Sequence, residues 1–217
     1  LGVFRGRRLT AGHRQQPARA AVRRATRALA VVLLAGGFGA GTPPAEAKTT
    51  VIRWSPFDAD GTLRAGLAAT PAFDGDCYTG SFVVRGAYRC ISGDLLRDPC
   101  FPDPTRDDAV LCVRDPFTRG VVRLRVTGHL DNGFSAGPGV AWALRLASGQ
   151  RCSAFAGGAT SADAAGRRAN YACSGRMTVL WGNPIRRSGT WRIRLSHSFT
   201  PGPEKLVAIR TAYIGRV

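Results

Sequence analysis

The sequence predicts a mainly β protein: an antiparallel sandwich or partly closed barrel with a disulfide-stapled, loop-rich N-terminal part. Three observations support this fold class. Several runs alternate apolar and polar residues with a period of two, which is typical of antiparallel sheet with one solvated face. After residue 47, no run has the pattern of a helix of ten or more residues. An even number of cysteines, six, also lies in that part of the chain, as in disulfide-bonded exported domains.

The first 47 residues have the organisation of a secretory signal peptide. Residues 1–27 contain eight arginines and no acid, residues 28–41 form an apolar run, and Ala45-Glu46-Ala47 supplies a small-residue cleavage pattern. The apolar run is shorter than the about 20 residues that a transmembrane helix needs. We therefore expect cleavage near Ala47, a secreted or envelope-associated protein, and no transmembrane segment in the mature chain.

The mature chain divides into a short leading segment and one domain. Residues 48–54 are predicted to form a first strand, and the Pro-, Gly- and Asp-containing residues 55–76 an ordered loop or linker. Residues 77–217 are predicted to form a single disulfide-bonded β domain. Its cysteine-rich, acidic part covers 77–115, and its basic, strand-rich part covers 116–217.

The six cysteines are predicted to form three disulfides, for which 15 connectivities are open. We favour the local set, in which each cysteine pairs with the next along the chain. The three pairs are Cys77–Cys90, Cys100–Cys112 and Cys152–Cys173. A zinc site is the competing interpretation, but no Cys-x-x-Cys spacing occurs and histidines are few. The sequence therefore predicts neither a metal site nor a cofactor.

Four runs in the second half of the domain predict strands. Alternation of apolar and polar residues is clear at 121–126, 140–147 and 190–196, and the run 206–214 is strand-like but apolar on both faces in places. Trp142 and Trp191 fall on the apolar side of these strands, which favours the core. Trp54 and Trp181 lie near strand ends and are the better candidates for a carbohydrate-stacking platform.

The charge of the chain is polarised. The full sequence has a net charge of +17, but residues 74–115 carry a net −3 and residues 116–217 a net +12. Five arginines lie on the polar side of predicted strands, and they would form one basic surface if those strands are neighbours: Arg123, Arg125, Arg145, Arg192 and Arg194. Such a surface would attract an anionic cell-envelope polymer or an acidic protein surface.

An alternative needs no ligand, because a solvated sheet face must be polar and an Arg-rich, high-GC coding bias would fill it with arginine. Aromatic residues are scarce on the polar faces, so the sequence gives no specific signal for nucleic-acid binding.

Several short runs resemble a group of small exported actinobacterial proteins of uncharacterised function that contain six cysteines. The runs are, in order, GDCY (75–78), AYRC (87–90), DPCF (98–101), WALRL (142–146), GQRC (149–152) and NYAC (170–173). The resemblance covers about residues 75–213 and implies export and three structural disulfides. It transfers no catalytic or binding residue.

Two other functions stay open. Gly133-Phe-Ser135-Ala-Gly137 matches the nucleophile elbow of α/β-hydrolases, and Ser135, Asp163 and His197 occur in the required chain order for a small secreted serine hydrolase. The elbow requires a helix after the serine, whereas Pro138-Gly139 and a predicted strand follow here. A secreted protein-binding or inhibitor module would instead present the exposed loop 101–111. We expect a protein without catalytic activity.

Overall fold

The described part of the chain consists of β-strands. The computed structural model describes residues 47–128, 130, 136–155, 160–175, 177–187, 189–200 and 202–217, so the predicted signal peptide lies, apart from Ala47, outside the described residues. The strands are β1 Thr50–Trp54, β2 Ala68–Ala69, β3 Phe73–Gly80, β4 Tyr88–Ser92, β5 Leu95–Pro102, β6 Ala109–Cys112, β7 Gly120–Val126, β8 Ala141–Leu146, β9 Arg151–Ala154, β10 Ala169–Cys173, β11 Val179–Arg187, β12 Thr190–Ser196 and β13 Lys205–Gly215. Within these ranges there is no helix that is long and apolar enough to span a membrane.

The larger sheet closes on itself around β13. Its strand order is β1-β13-β12-β11-β10-β9-β8, and β13 also pairs with β8. One edge of β13 pairs first with β12 and then, in parallel, with β1, while its other edge pairs with β8. Leu144, Tyr171, Leu180, Ile193 and Ile209 are among the buried side chains that fill the interior.

The smaller sheet is also closed. Strands β7, β3, β4, β5 and β6 follow one another, β6 pairs back onto β7, and β2 adds to β7 in parallel. The β4–β5 hairpin turns through Gly93 and Asp94, since Ser92 and Leu95 are directly paired. Gly93 has a positive φ of 57°, a conformation that favours glycine in two-residue hairpin turns. The expectation of a mainly β fold, a sandwich or partly closed barrel, is confirmed, and both sheets close on themselves.

The predicted strands correspond closely to observed ones. The runs 48–54, 121–126, 140–147, 190–196 and 206–214 become β1, β7, β8, β12 and β13. The sheet boundary falls between β7 and β8, so the basic part 116–217 contributes a strand to the smaller sheet as well as most of the larger one. Residues 55–76 contain β2, the start of β3 and a bridge between Phe57 and Leu63.

The disulfides join strands that are hydrogen-bonded neighbours. Cys77–Cys90 links β3 to β4, Cys100–Cys112 links β5 to β6, and Cys152–Cys173 links β9 to β10. The last two pairs are direct cross-strand partners in the ladder. The local connectivity is confirmed, and each bridge fixes the register of one antiparallel pair.

Three aromatic rings pack between the two sheets. Trp54 from β1 lies with its ring centroid 5.8 Å from Phe101 of β5 and 5.4 Å from Trp142 of β8, and Phe101 and Trp142 are 6.2 Å apart. All three rings are buried. The prediction that Trp142 belongs to the core is confirmed.

The platform prediction for Trp54 and Trp181 is wrong. Trp54 is 5% exposed and Trp181 1% exposed. A position near a strand end does not mean exposure here, because Trp54 is covered by the other sheet and Trp181 packs with Ala169 and Val179 in a separate buried cluster. Neither ring can offer a face to a sugar.

Gly215 allows close approach of the two sheets. A Cβ atom at this position would overlap the γ-methyl groups of Val84, which is itself buried in the core between the sheets. We expect Gly215→Ala to lower the free energy of unfolding by about 1–3 kcal/mol, because overpacking forces neighbouring atoms to move. Urea unfolding of the oxidised protein measures this change.

Gly120→Ala is the matched control for this prediction. Gly120 starts β7, and a Cβ there would meet nothing within 4 Å. We expect its unfolding free energy to stay within about 0.5 kcal/mol of the parent protein, as for other unconstrained surface positions. Equal losses in the two variants would show that the Val84 contact does not matter.

Candidate anion-binding site

The five arginines that the sequence predicts as binding residues lie in two different sheets. Arg123 and Arg125 are on β7 of the smaller sheet, whereas Arg145 is on β8 and Arg192 and Arg194 are on β12 of the larger sheet. β7 is not hydrogen-bonded to β8 or β12, and β13 separates β8 from β12. Neighbouring strands therefore do not assemble the five residues into one row, and their role in binding stays a prediction.

Three of these five arginines are paired with carboxylates. The pairs are Arg123 Nη2 with Asp103 Oδ2 at 3.7 Å, Arg125 Nε with Asp74 Oδ1 at 2.8 Å, and Arg194 Nε with Glu204 Oε2 at 3.4 Å. Asp103 is buried, while the Arg125–Asp74 pair is exposed on both sides. Much of the positive charge in this set is thus balanced inside the molecule.

Arg145 has a different environment, since the residue that it faces across the β8–β9 ladder is another arginine. Arg145 on β8 is directly opposite Arg151 on β9 in the antiparallel ladder. Like charges at directly opposite positions destabilise a sheet. Within the described ranges neither guanidinium forms an ion pair, and the Nε of Arg145 is buried without a hydrogen-bond partner. An anion bound between the two guanidinium groups would offset the repulsion between their charges.

Phe117 holds the two arginines in place. The guanidinium carbons of Arg145 and Arg151 lie 5.9 Å and 5.5 Å from the centre of its ring, within cation–π range. The edge of the ring also packs against Tyr213 of β13, with centroids 5.2 Å apart. Contact with an aromatic face leaves the N–H groups at the rim of a guanidinium available to an anionic ligand.

A local turn positions Phe117 over the larger sheet. Asp115 Oδ1 accepts hydrogen bonds from the Phe117 N–H and from the Thr118 hydroxyl, both at 2.9 Å. Such a turn, made by an Asp side chain and the backbone two residues on, is a common way to fix a loop. Asp115 also lies 4.0 Å from Arg114. The carboxylate of Asp115 is thus held by the turn and by Arg114.

A shallow cleft of about 260 Å³ lies beside this cluster. Arg114, Asp115, Phe117 and Arg151 line it together with Ser153 and Ser174. The side chain of Arg114 is 86% exposed. The cleft therefore combines cationic groups, one carboxylate and hydroxyl groups on a rigid base, because the Cys152–Cys173 disulfide joins the two strands beneath it.

The three residues of the hydrolase hypothesis are not seen together. Ser135 lies outside the described residues. Asp163 Oδ1 accepts the backbone N–H groups of Ala165 and Arg167, and its other oxygen pairs with the Arg167 guanidinium at 2.6 Å. His197 lies with Nδ1 3.5 Å from the Thr178 hydroxyl. The triad stays a prediction.

The electrostatics of Asp163 fit a structural role. Partial burial acts to raise the pKa of Asp163, but the backbone and guanidinium donors of Arg167 outweigh it and hold the pKa below its ordinary value. Arg167 continues to Glu204, which also pairs with Arg194. Asp163 thus belongs to a chain of ion pairs that connects the 163–167 turn to β12.

The loop proposed for an inhibitor module is a hairpin closed at its base by Cys100–Cys112. Residues 104–108 at its tip are exposed. Inside it, Asp103 Oδ1 accepts hydrogen bonds from the N–H and hydroxyl of Thr105, and Arg106 pairs with Asp108. These internal contacts give the loop a defined shape, and its proposed role in protein binding stays a prediction.

The sulfurs of Cys90, Cys100 and Cys112 lie within 4.8 Å of one another, a distance that three ligands of one metal ion could have. All three are oxidised, since Cys90 is bonded to Cys77 and Cys100 to Cys112. The cluster fills the core of the smaller sheet. Metal binding by cysteine requires thiolates, which these disulfides do not supply.

Asp98 is a buried carboxylate at the centre of the smaller sheet. Ser81 donates its hydroxyl to Asp98 Oδ1, the Phe82 N–H donates to Oδ2 at 3.1 Å, and Arg89 Nη1 lies 3.5 Å from Oδ2. Burial raises the pKa of Asp98 to about 6, against the opposing effects of these donors and of the Arg89 charge. The Ser81 oxygen in turn accepts the Val84 N–H, so Asp98 anchors the loop that packs between the sheets.

This pKa makes stability depend on pH. Between about pH 4 and pH 6 the folded protein keeps a proton on Asp98 that the unfolded chain releases. The stability that this bound proton gives to the folded state is therefore lost as the pH rises through 6. We expect a decrease of about 2 kcal/mol in the free energy of unfolding over this range from Asp98 alone.

Asp98→Asn removes the titration and keeps the side chain's size. Other acids titrate in both proteins, so the difference between the two unfolding free energies, measured in urea at pH 4.0 and 7.5, isolates Asp98. We expect the Asn variant to gain stability relative to the parent as the pH rises. A difference that is the same at both pH values would refute the assignment.

No family model, curated protein or solved structure matches this chain. The site must therefore be judged from its own geometry. The sequence singled out Arg145 but not Arg151 or Phe117 as binding residues. A hairpin connection of four residues between β8 and β9, with Gly149 in it, was the available signal that Arg145 and Arg151 face each other.

Proposed function

We propose that this protein is an exported, disulfide-stabilised and non-enzymatic β protein that binds an anionic cell-envelope polymer. The observation that carries the proposal is the Arg145–Arg151 pair, two cations placed directly opposite each other without an acidic partner among the described residues. The polymer's phosphate or carboxylate groups would supply the missing negative charge.

The groups that line the cleft suit the repeated anionic groups of a polymer. The cleft is open on the surface, and arginine and serine groups line it next to an aromatic ring. Guanidinium groups bind phosphate and carboxylate oxygens through two parallel hydrogen bonds, which gives direction as well as charge. A polymer that repeats one anionic group could add weaker contacts at other arginines of the predicted set.

Three features support export. The N-terminal 47 residues have the pattern of a signal peptide. The three disulfides are consistent with an oxidising, extracellular compartment. The resemblance to small exported actinobacterial proteins points to the same location. An envelope polymer is the anionic partner that a protein in that location meets at high density.

The proposal is tested by replacing both arginines. We expect the double variant Arg145→Gln, Arg151→Gln to bind immobilised poly(glycerol phosphate) at least about tenfold more weakly, because each charged hydrogen bond is worth about 1.5–3 kcal/mol. Binding by the parent protein should also fall steeply between about 0.05 and 0.5 M salt, since screening shortens the range of the charges. Surface plasmon resonance measures both effects.

The double variant Arg85→Gln, Arg187→Gln is the charge-matched control. Both residues are exposed and form no ion pair within the described ranges. We expect this variant to lose less than about threefold, since screening limits the effect of distant charges. Equal losses in the two double variants would show that only net charge matters. A preference for a uronic-acid glycan over the phosphate polymer would assign the ligand to the carboxylate class.

A further inference from the structure

A second cavity, distinct from the arginine-pair cleft, opens where the ends of β1, β5 and β13 meet. Its volume is about 310 Å³. This is at the lower end of the range for small-molecule sites, roughly 300–1,000 Å³. The cavity therefore has room for one small organic molecule.

One side of the cavity is apolar. Phe57, Phe101, Pro102 and Pro104 line it. Phe101 belongs to the buried aromatic cluster with Trp54 and Trp142, so this wall is part of the rigid core.

A closed loop shapes the neighbouring wall. Phe57 forms a bridge with Leu63, the Asp58 N–H donates to the Thr62 carbonyl at 2.9 Å, and the Arg64 N–H donates to the Pro56 carbonyl at 2.9 Å. These bonds hold the 56–64 segment in one conformation. A wall that is held by its own hydrogen bonds lowers the entropic cost of binding a ligand.

Three arginines line the cavity, and they differ in their partners. Arg64 is occupied, because it pairs with Asp58 at 3.7 Å and its guanidinium carbon lies 5.5 Å from the centre of the Trp54 ring. Arg53 and Arg216 form no ion pair with any described residue. They come close because β1 runs parallel to β13, with the Arg216 N–H donating to the Trp54 carbonyl at 2.8 Å.

We propose that this cavity binds a small organic anion. A phosphate, sulfate or carboxylate group pairs with the guanidinium groups of Arg53 and Arg216, and an apolar or aromatic body rests against Phe57 and Phe101. The site is independent of the proposed polymer binding, because it shares no residue with the cleft at Arg145 and Arg151.

The experiment tests the anionic group and the aromatic body of the ligand separately. Isothermal titration is carried out on the oxidised protein with phenyl phosphate, inorganic phosphate and phenol. We expect phenyl phosphate to bind at least tenfold more tightly than either of the other two probes. It is the one probe of the three that can contact both the arginines and the aromatic wall. Equal affinity for phenyl phosphate and inorganic phosphate would overturn the role of the aromatic wall.

Variants locate the site. We expect Arg53→Gln with Arg216→Gln to weaken phenyl phosphate binding at least tenfold, and the charge-matched Arg145→Gln with Arg151→Gln to leave it within twofold. Ala59→Phe adds bulk at an exposed lining position without removing charge, and it should weaken phenyl phosphate in the same way. Unchanged binding in the Arg53, Arg216 variant, or equal losses in both double variants, would refute the proposal.

The outcomes also distinguish this site from the polymer site. Failure of phenyl phosphate to bind refutes the cavity proposal and leaves the polymer assay unaffected. Loss of polymer binding in the Arg145, Arg151 variant with intact phenyl phosphate binding supports two separate sites. Near-ultraviolet circular dichroism and the absence of free thiols establish that each variant is folded and oxidised.

Discussion

The contact between Trp54, Phe101 and Trp142 is the interaction on which the rest of the structure depends. Each ring comes from a different strand, and together they join the two closed sheets. Aromatic pairs in such tilted and edge-on arrangements add about 0.5–1.5 kcal/mol each beyond the apolar area that they bury. Both candidate sites lie where the two sheets meet: the loop of the smaller sheet brings Phe117 onto the larger one, and Phe101 supplies a wall of the second cavity.

The positive charge of this protein serves at least two structural purposes. Some arginines neutralise buried or half-buried acids, as Arg89 does for Asp98 and Arg123 for Asp103. Others stack on aromatic rings, as Arg186 does on Trp191. These arginines stabilise the fold through their contacts. The net charge alone therefore overstates the number of arginines that are available to a ligand. Both binding proposals therefore rest on arginines that form no ion pair with a described residue.

Much of the fold could be predicted because local pattern and local structure coincide. The strands β8 and β12 alternate strongly, since one face of each lines a barrel interior, and the disulfides join consecutive cysteines because they connect adjacent antiparallel strands. Sheet closure and the assignment of β7 to the smaller sheet depend on long-range pairing, which has no local signature. The prediction that Trp54 and Trp181 are exposed fails for the same reason: residues that are distant in sequence cover both rings. Only part of the candidate site could be predicted. The alternation of apolar and polar residues in β8 indicates Arg145, whereas Phe117 comes from a loop of the other sheet and has no such signal.

The parallel pairing of β1 with β13 has a consequence for how the chain reaches its native state. Thr49 donates its hydroxyl to the Ile209 carbonyl across 160 positions of sequence, and β13 also supplies the partner that closes the barrel through β8. Contacts between such distant residues are late and slow to form, because a long loop must close before they stabilise anything. The larger sheet cannot be completed until residues 205–215 have emerged. In the export that we propose, the chain crosses the membrane unfolded, and the β1–β13 pairing, the aromatic contact and both cationic clefts form only after residues 205–215 have emerged.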